Sequence, residues 1–266
     1  MSSTPAIFIG HGSPMNALES NAYTQAWRAF GQGMVRPRAV LVISAHWYVG
    51  VRAVTAMPRP KTIHDFYGFP DALFAVQYPA PGDPALAQEI AEIVKPTVVG
   101  LDHDSPAADI PVVQLSIDAR KSHEEHFELG AKLGALRREG VLILGSGNVV
   151  HNLRLIDWNR PREGFDWVRR FDEAARDLMI ADPSLIPTLR EHPDYRRAVP
   201  TPEHFLPLVY LAGAAAAEGS GTDVFLEGYA YGALSMTAYS LGAGVPERAR
   251  GATSSVARHH ESRRSE

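Results

Sequence analysis

The stretch Ala39-Val40-Leu41-Val42-Ile43-Ser44-Ala45-His46 decides the fold class of this chain of 266 residues. Its first five residues are all apolar, and Val40, Val42 and Ile43 are β-branched. An apolar run of this length is typical of a strand that is buried on both faces, as in a parallel sheet covered by helices. We therefore predict a strand over Ala39–Ser44 in an α/β protein.

The rest of the chain alternates between short apolar runs and helical patterns, which predicts a three-layer αβα sandwich around a mixed, largely parallel sheet. The other predicted strands are Ala6–Ile9, Val51–Ala56, Val112–Ile117, Val141–Leu144, Val224–Leu226 and Leu234–Ser240. The predicted helices are Asn21–Phe30, Asp83–Val94, Glu124–Glu139, Phe165–Ile180 and Pro202–Ala217. We expect one α/β domain over residues 1–245. Residues 246–266 have almost no apolar content, and we expect a disordered tail there.

Composition excludes several classes of function. The net charge is -4 and the sequence pI is about 6.3, so no basic surface for nucleic acid or for an anionic membrane is predicted. The chain has no cysteine, which excludes disulfides, thiolate metal ligands and a cysteine nucleophile. No secretory signal and no apolar run of the roughly 20 residues that a membrane helix needs are visible. We therefore expect a cytoplasmic protein.

Three histidines follow predicted strands at points where glycine or proline marks a turn: His11, His46 and His151. The carboxyl ends of the strands in an α/β sheet are where ligands collect. Imidazole is the commonest metal ligand and the side chain that titrates nearest to neutrality. The pattern therefore predicts a metal site with acid/base assistance at one edge of the sheet.

The residues around these histidines leave alternatives open. His11 lies between two glycines, which permit unusual dihedrals and close approach of the backbone, but an exposed tight turn is the simpler interpretation. His46 could equally be a histidine of the core. The segment Gly145-Ser146-Gly147-Asn148 fits a backbone cradle for an anion at a helix start, or a serine turn that lacks the full nucleophile elbow. His151 follows within one helical turn, where a general base is well placed.

Two further segments carry candidate functional residues. Thr201-Pro202-Glu203-His204 has the pattern of a helix start, in which either Glu203 or His204 could be a third metal ligand. The aromatic-rich segment Thr62–Pro70 could cover an edge of the core or form a pocket for a planar ring. His126 lies inside a predicted helix, where a structural role is favoured.

In their number and order, these segments resemble the 4,5-DOPA dioxygenase group of class III extradiol dioxygenases, which is related to the catalytic subunit of protocatechuate 4,5-dioxygenase. The resemblance runs from about Ile7 to Leu241. The matching pieces are Gly10–Pro14, Ser44–Trp47, Thr62–Pro70, Tyr78–Gly82, Ile110–Asp118, Gly145–Asn152 and Thr201–Leu208. Each piece is weak alone, and their order makes the match specific.

The resemblance implies a function and a set of site residues. It implies a non-haem Fe(II) centre at which O2 opens the aromatic ring of a catechol similar to DOPA. The implied metal ligands are His11, His46 and His204, which favours His204 over Glu203. The implied acid/base residue is His151, with His103 as a second candidate. Zn²⁺ also suits imidazole ligands and could occupy the site in purified protein, but it has no redox chemistry.

The expected substrate contacts come from the same segments. The resemblance places His64 and His126 in or near the substrate pocket. Phe66 in the aromatic segment and Asn152 beside His151 complete the expected set. The partners are thus a small-molecule catechol and O2, and the oligomeric state is left open.

One segment departs from the family pattern. Members of the family usually carry two tryptophans around an Asp-His-Gly sequence, whereas this chain has Gly100-Leu101-Asp102-His103-Asp104-Ser105-Pro106. A metal-binding relic without turnover is therefore one alternative. A zinc-dependent hydrolase, in which the metal lowers the pKa of a bound water, is the other.

Overall fold

The computed structural model describes residues 3–64, 66–95, 98–100 and 110–243. His103 and the expected tail over residues 246–266 lie outside these ranges. Within the described ranges, no helix is both long and apolar enough to cross a membrane.

Ten strands and seven α-helices make up the described chain. The strands are β1 (Ala6–Gly10), β2 (Ala39–Val49), β3 (Ala53–Thr55), β4 (Val98–Gly100), β5 (Val112–Asp118), β6 (Val141–Gly147), β7 (Asp223–Leu226), β8 (Tyr229–Ala230), β9 (Leu234–Ser235) and β10 (Ala238–Leu241). The α-helices are α1 (Ala22–Gly33), α2 (Asp71–Phe74), α3 (Pro84–Ile93), α4 (His123–Leu133), α5 (Asp166–Ala181), α6 (Tyr195–Ala198) and α7 (Leu206–Ala217). Short 3-10 helices span Pro14–Ala17, Gly134–Glu139, Leu153–Leu155, Pro183–Glu191 and Pro202–His204.

Eight strands form one mixed sheet in the order β4-β3-β5-β2-β6-β1-β10-β7, and β8 pairs with β9 in a small hairpin. The four central strands β5, β2, β6 and β1 run parallel to one another. Strands β3 and β10 join them antiparallel. The carboxyl ends of the four central strands therefore share one edge, as the predicted fold class requires.

Helices cover both faces of the sheet, because the strands alternate apolar side chains between the two faces. In β1, Ala6 and Phe8 belong to the larger core with α3, α4, α5 and α7, whereas Ile7 packs in a second core. Ala26 and Phe30 of α1 pack in that second core. The predicted three-layer sandwich is confirmed.

Helix α7 occupies the middle of the larger core. Ten of its twelve residues are buried, which explains why its sequence is apolar on every side. It crosses α4 with the backbones almost in contact: a Cβ on Gly213 would lie 2.0 Å from the carbonyl oxygen of Phe127. A Cβ on Gly130 would lie 2.2 Å from the carbonyl oxygen of Tyr210. Both helices thus need glycine at the crossing.

Several predicted boundaries were wrong. The predicted helix over Glu124–Glu139 ends as an α-helix at Leu133 and continues as a 3-10 helix. The predicted helix over Pro202–Ala217 consists of a 3-10 turn and then α7, with Phe205 between them. The predicted strand over Leu234–Ser240 is split between β9 and β10, which belong to different sheets. Local periodicity does not distinguish these cases, because long-range packing decides where the hydrogen-bond pattern changes.

Candidate metal centre

Three histidines from distant parts of the chain meet at the carboxyl edge of the central strands. His11, His46 and His204 each have a ring nitrogen within 4.8 Å of a ring nitrogen of the other two. Their ring centroids are 5.1 Å apart for His11 and His46, 5.4 Å for His11 and His204, and 5.6 Å for His46 and His204. The structure therefore assembles the set that the resemblance implied.

His46 lies within strand β2, and the prediction that the strand ends before it was wrong. Ile43 pairs with Leu115 and Tyr48 pairs with Ile117, so β2 advances five residues while β5 advances two. Such a bulge detaches part of a strand from its neighbour and re-aims its side chains. His46 is located in this bulge and remains exposed next to the other two histidines.

His11 follows β1 in a turn that the two flanking glycines make possible. Gly12 has a φ of +61°, and a Cβ on Gly10 would lie 2.7 Å from the backbone of Met236. The amide of His11 donates to the carbonyl of Gly147 at 2.9 Å, and Asn16 donates to the carbonyl of His11 at 2.9 Å. The backbone of His11 is therefore held from both sides.

His204 ends the Pro202–His204 turn and lies directly over the end of β6. A Cβ on Gly147 would lie 2.2 Å from the carbonyl oxygen of His204, and the amide of Asn148 donates to that oxygen at 2.8 Å. Gly147 thus permits this close approach. The proposed anion cradle over Gly145–Asn148 was wrong, because Gly145–Gly147 belong to β6 and no α-helix starts there.

Polar groups contact the Nδ1 atoms of two of the histidines. Oγ of Ser146 lies 3.0 Å from Nδ1 of His11. Oε1 of Glu203 lies 3.3 Å from Nδ1 of His204, and Thr201 donates to the same oxygen at 2.6 Å. Partners of this kind set the tautomer and the ring orientation of metal-binding histidines, and they leave Nε2 available. Sequence reasoning assigned other roles to Ser146 and Glu203.

The electrostatics of the cluster favour the neutral form of His11. Burial lowers the pKa of His11 well below its usual value, and the nearby His204, His46 and His151 lower it further. Burial by itself would raise the pKa of Glu203, but hydrogen bonds from His204 and Thr201 outweigh this effect and lower the pKa to about 2. The cluster therefore combines a neutral His11 with one nearby carboxylate, that of Glu203.

His151 stacks on His204, with ring centroids 3.5 Å apart and an angle of 7° between the planes. Burial lowers the pKa of His151 to about 3, and His204 contributes to the same shift. Its amide donates to the carbonyl of Ala198 at 3.0 Å, and it forms an isolated bridge with Leu234. His151 is thus a neutral imidazole beside the cluster, in an isolated β-bridge after β6 and not in a helical turn as predicted.

The donor set fits a divalent transition metal. Three imidazole ligands suit iron and zinc, and a site with only three protein ligands keeps positions open for substrate. The partners at Nδ1 of His11 and His204 are of the kind that accompanies such ligands. The arrangement can therefore hold one ion and present it at the edge of the sheet.

Comparison with known proteins agrees with this geometry. Residues 5–242 match the family described as the catalytic LigB subunit of aromatic ring-opening dioxygenase. The chain belongs to this family. It is an extradiol ring-cleaving dioxygenase, as the resemblance predicted, and the family depends on a metal.

Relatives of this dioxygenase match almost the whole chain. A 4,5-DOPA dioxygenase extradiol of Escherichia coli (strain K12) is 46% identical over 91% of this chain and 97% of its own length. A 4,5-DOPA dioxygenase extradiol of Beta vulgaris is 33% identical over 88% of this chain and 95% of its own length. The crystal structure of an uncharacterized protein from Escherichia coli K12 superposes with a TM-score of 0.74 at 38% identity, covering 90% of this chain and 99% of that one.

The aromatic segment of the dioxygenase forms a cluster of rings beside the turn of His11. The ring of Phe66 lies 5.8 Å from His64, 5.5 Å from Phe69 and 5.0 Å from Phe74. Helix α2, which carries Phe74, packs against the 3-10 turn that follows His11. His64 and Phe66 are therefore linked to the turn after His11 through Phe74 and α2.

The other two expected substrate residues have internal partners. His126 is 1% exposed, and its Nδ1 atom lies 2.8 Å from the hydroxyl of Tyr210 on α7. The side chain of Asn152 donates to the carbonyl of Arg197 at 2.8 Å and accepts from the amide of Arg154 at 3.1 Å. These contacts support helix packing and the segment after His151, respectively. Their part in substrate binding stays a prediction.

Proposed function

We propose that this dioxygenase holds Fe(II) on His11, His46 and His204 and opens a catechol similar to DOPA. The observation that carries the proposal is the meeting of these three imidazoles beside a fourth, neutral one. When bound, the iron supplies the redox chemistry that O2 activation needs, which Zn²⁺ cannot supply.

The protein groups around the cluster prepare the ligands. Ser146 and Glu203 contact Nδ1 of His11 and His204, which leaves Nε2 of both rings for a metal ion. His46, in the bulge of β2, has a ring nitrogen within 4.8 Å of the other two histidines. Neutral imidazoles are the ligating form, and burial keeps the pKa of His11 low enough for it to be neutral at physiological pH.

His151 is proposed to accept a proton from a catechol hydroxyl at a ring nitrogen. It is neutral at pH 7, because burial and the adjacent His204 lower its pKa to about 3. An anionic catecholate beside the ring would raise that pKa, since an opposite charge favours the protonated form. His151 could then return the proton later in the reaction, as an acid/base residue does.

The rings around Phe66 are proposed to form one wall of the substrate pocket. Aromatic rings bind a planar substrate by offset or edge-to-face contacts, and His64 adds a polar edge to this wall. Nε2 of His64 lies 2.8 Å from the carbonyl of Val76, which fixes the ring within the segment. We assign His64 and Phe66 to orientation of the catechol.

Oxygen consumption tests the proposed reaction. Iron-loaded protein with DOPA is expected to take up O2 and to form a yellow ring-opened product, and anaerobic samples are expected to form none. Elemental analysis of the same preparation measures the iron content. Stoichiometric iron without O2 uptake on any of a panel of catechols would refute the proposal and would favour the metal-binding relic.

Three alanine variants separate the roles of the histidines. His11→Ala is expected to lose metal, and His151→Ala is expected to keep metal and lose turnover. His192→Ala serves as a control, because His192 packs against Phe171 in the helical layer. Loss of metal in His151→Ala would show that His151 is a ligand and that its proposed role is wrong.

A further inference from the structure

The segment Ala233–Thr237 contacts both sides of the candidate centre. On one side, the amide of Ser235 donates to the carbonyl of Val150 at 3.0 Å, and Leu234 forms the isolated bridge with His151. The amide of Asn152 donates to the carbonyl of Ala233 at 3.2 Å. The segment therefore forms a short ladder with the residues around His151.

The same segment supports the turn that carries His11. A Cβ on Gly10 would lie 2.7 Å from the backbone of Met236, and one on Gly12 would lie 2.6 Å from the sulfur of Met236. The side-chain amide of Asn148 donates to the carbonyl of Ser235 at 2.7 Å, which ties the segment to the end of β6 as well. A displacement of Ala233–Thr237 would therefore reach both His11 and His151.

The buried carboxylate of Asp172 in α5 accepts hydrogen bonds from two hydroxyl groups of this segment. Ser235 donates to Oδ1 of Asp172 at 2.5 Å, and Thr237 donates to Oδ2 at 2.8 Å. Asp172 is 4% exposed, while Ser235 and Thr237 are completely buried. A carboxylate in such a place is costly unless hydrogen bonds compensate for lost hydration, so the contact needs a close fit.

We propose that Asp172 is a positioning residue of the dioxygenase, which sets the place of His11 and His151 through the two hydroxyl groups of Ser235 and Thr237. It does not itself touch the three-histidine cluster through any of these contacts. It acts through the Ala233–Thr237 segment, which lies between α5 and the candidate centre. The consequence for turnover rests on the proposed function, whereas the consequence for the histidine geometry does not.

The charge state of Asp172 is consistent with this role. Burial raises its pKa to about 6, and hydrogen bonds from Ser235, Thr237 and Tyr229 limit the rise. At pH 7.5 the group is therefore ionised and accepts from both hydroxyl groups.

The test compares two substitutions of Asp172 with a control at Thr222, which contacts the same helix from outside it. Asp172→Leu keeps the number and branching of the side-chain heavy atoms, is bulkier, and removes both acceptors. Asp172→Asn keeps one acceptor. Thr222→Val is the control: Thr222 is buried and donates to the carbonyl of Met179 in α5 at 3.0 Å, far along the helix from Asp172. Thermal unfolding measures the stability of all three variants.

The histidine geometry is measured in metal-free protein labelled with ¹⁵N-histidine, by NMR spectra that report imidazole tautomers. We expect the signals of His11 and His151 to move in Asp172→Leu, to move less in Asp172→Asn, and to keep their positions in Thr222→Val. Affinity for Co²⁺ is expected to fall about tenfold in Asp172→Leu and to stay unchanged in the control, since outer partners of metal ligands have effects of this size.

Unchanged imidazole signals in Asp172→Leu, together with a loss of stability like that of the control, would overturn the proposal and leave Asp172 a residue of the core. If Asp172→Leu does not fold, the same NMR comparison is made with Thr237→Val and Asp172→Asn. Unchanged His11 and His151 signals in both variants would then overturn the proposal. Turnover is a separate measurement: kcat is expected to fall about tenfold or more while KM for DOPA changes little, because small displacements of reacting groups are costly. Failure of the wild-type protein to turn over any catechol would refute the proposed function and leave the NMR result valid.

Discussion

His126 gives the dioxygenase a dependence of stability on pH that can be isolated by one substitution. Burial lowers the pKa of His126 to about 4, and the nearby His123 and Arg52 side chains add to the shift. The ring is 1% exposed and lies between α4 and α7. Acidification should therefore stabilise the unfolded chain, in which His126 is free to take up a proton.

The magnitude follows from the two pKa values. In the unfolded chain His126 has its ordinary pKa of 6.5, and in the folded protein its pKa is about 4. Between these values the unfolded chain binds one proton more than the folded protein, so the free energy of unfolding falls as the pH falls. At 1.36 kcal/mol for each pH unit, the loss between pH 6.5 and pH 4 amounts to about 3 kcal/mol. Above pH 6.5 the contribution does not change.

Urea unfolding of metal-free protein between pH 7 and pH 4 measures this loss. His126→Gln cannot take up the proton, so its free energy of unfolding is expected to fall by about 3 kcal/mol less than that of the wild type over this range. The other titrating groups, among them Asp172 and His151, contribute equally to both proteins and cancel in the difference. Tyr210→Phe is the matched control: it keeps the ring of His126 buried, and the wild-type pH dependence should largely persist.

Parallel pH profiles for the wild type and His126→Gln would refute this reasoning. They would show that folding leaves the pKa of His126 at its ordinary value, as expected of a residue that faces a hydrated substrate pocket. The experiment therefore also separates the two roles considered for His126.

Three further substitutions test the centre and the core. Ser146→Ala should weaken metal binding about 10-fold to 100-fold in a Co²⁺ titration, because it removes the hydrogen-bond partner of a proposed ligand, His11. Ser240→Ala removes a buried hydroxyl elsewhere and should leave the Co²⁺ affinity unchanged. Equal affinities in the two variants would contradict the role of Ser146. Gly213→Ala should lower the free energy of unfolding by about 1–3 kcal/mol, because its Cβ would meet the backbone of α4. Gly31→Ala, in open space on α1, should raise it by about 0.4–1 kcal/mol in the same urea assay, and the opposite order would refute the packing argument. Arg137→Leu should lower the free energy of unfolding by about 3 kcal/mol or more, because this buried guanidinium donates to two backbone carbonyls and pairs with Glu218. A Tm equal to that of the wild type would contradict this prediction.

Sequence patterns predicted the layers of the fold well, because buried segments have a distinct, apolar local composition. The apolar runs at β1, β2, β5 and β6 have the length and composition of strands covered on both faces, and the parallel order of these strands places their carboxyl ends together. The apolar sequence of α7 likewise predicted a buried helix. Boundaries were less accurate where an element changes type, as at Phe205 and Leu133.

The candidate centre was predictable only in part. The glycines around His11 and the resemblance pointed to the residues that meet at the sheet edge, but not to the way each one arrives there. The bulge that detaches His46 from β5 depends on pairing between residues about seventy positions apart in the chain, and no local signal predicts it. The stack of His151 on His204 likewise depends on packing between residues far apart in the chain, and no local signal predicts it.

The sequence by itself thus determined the α/β class, the central strands and the identity of the histidines, since these depend on residue type and on short-range periodicity. The tertiary structure alone decided the partners at Nδ1 of His11 and His204, which are Ser146 and Glu203. It also decided the contact of Asp172 with Ser235 and Thr237. The physical reason is common to both: a hydrogen bond between residues far apart in the chain exists only when the packed sheet and helices bring its two atoms within about 3 Å of each other.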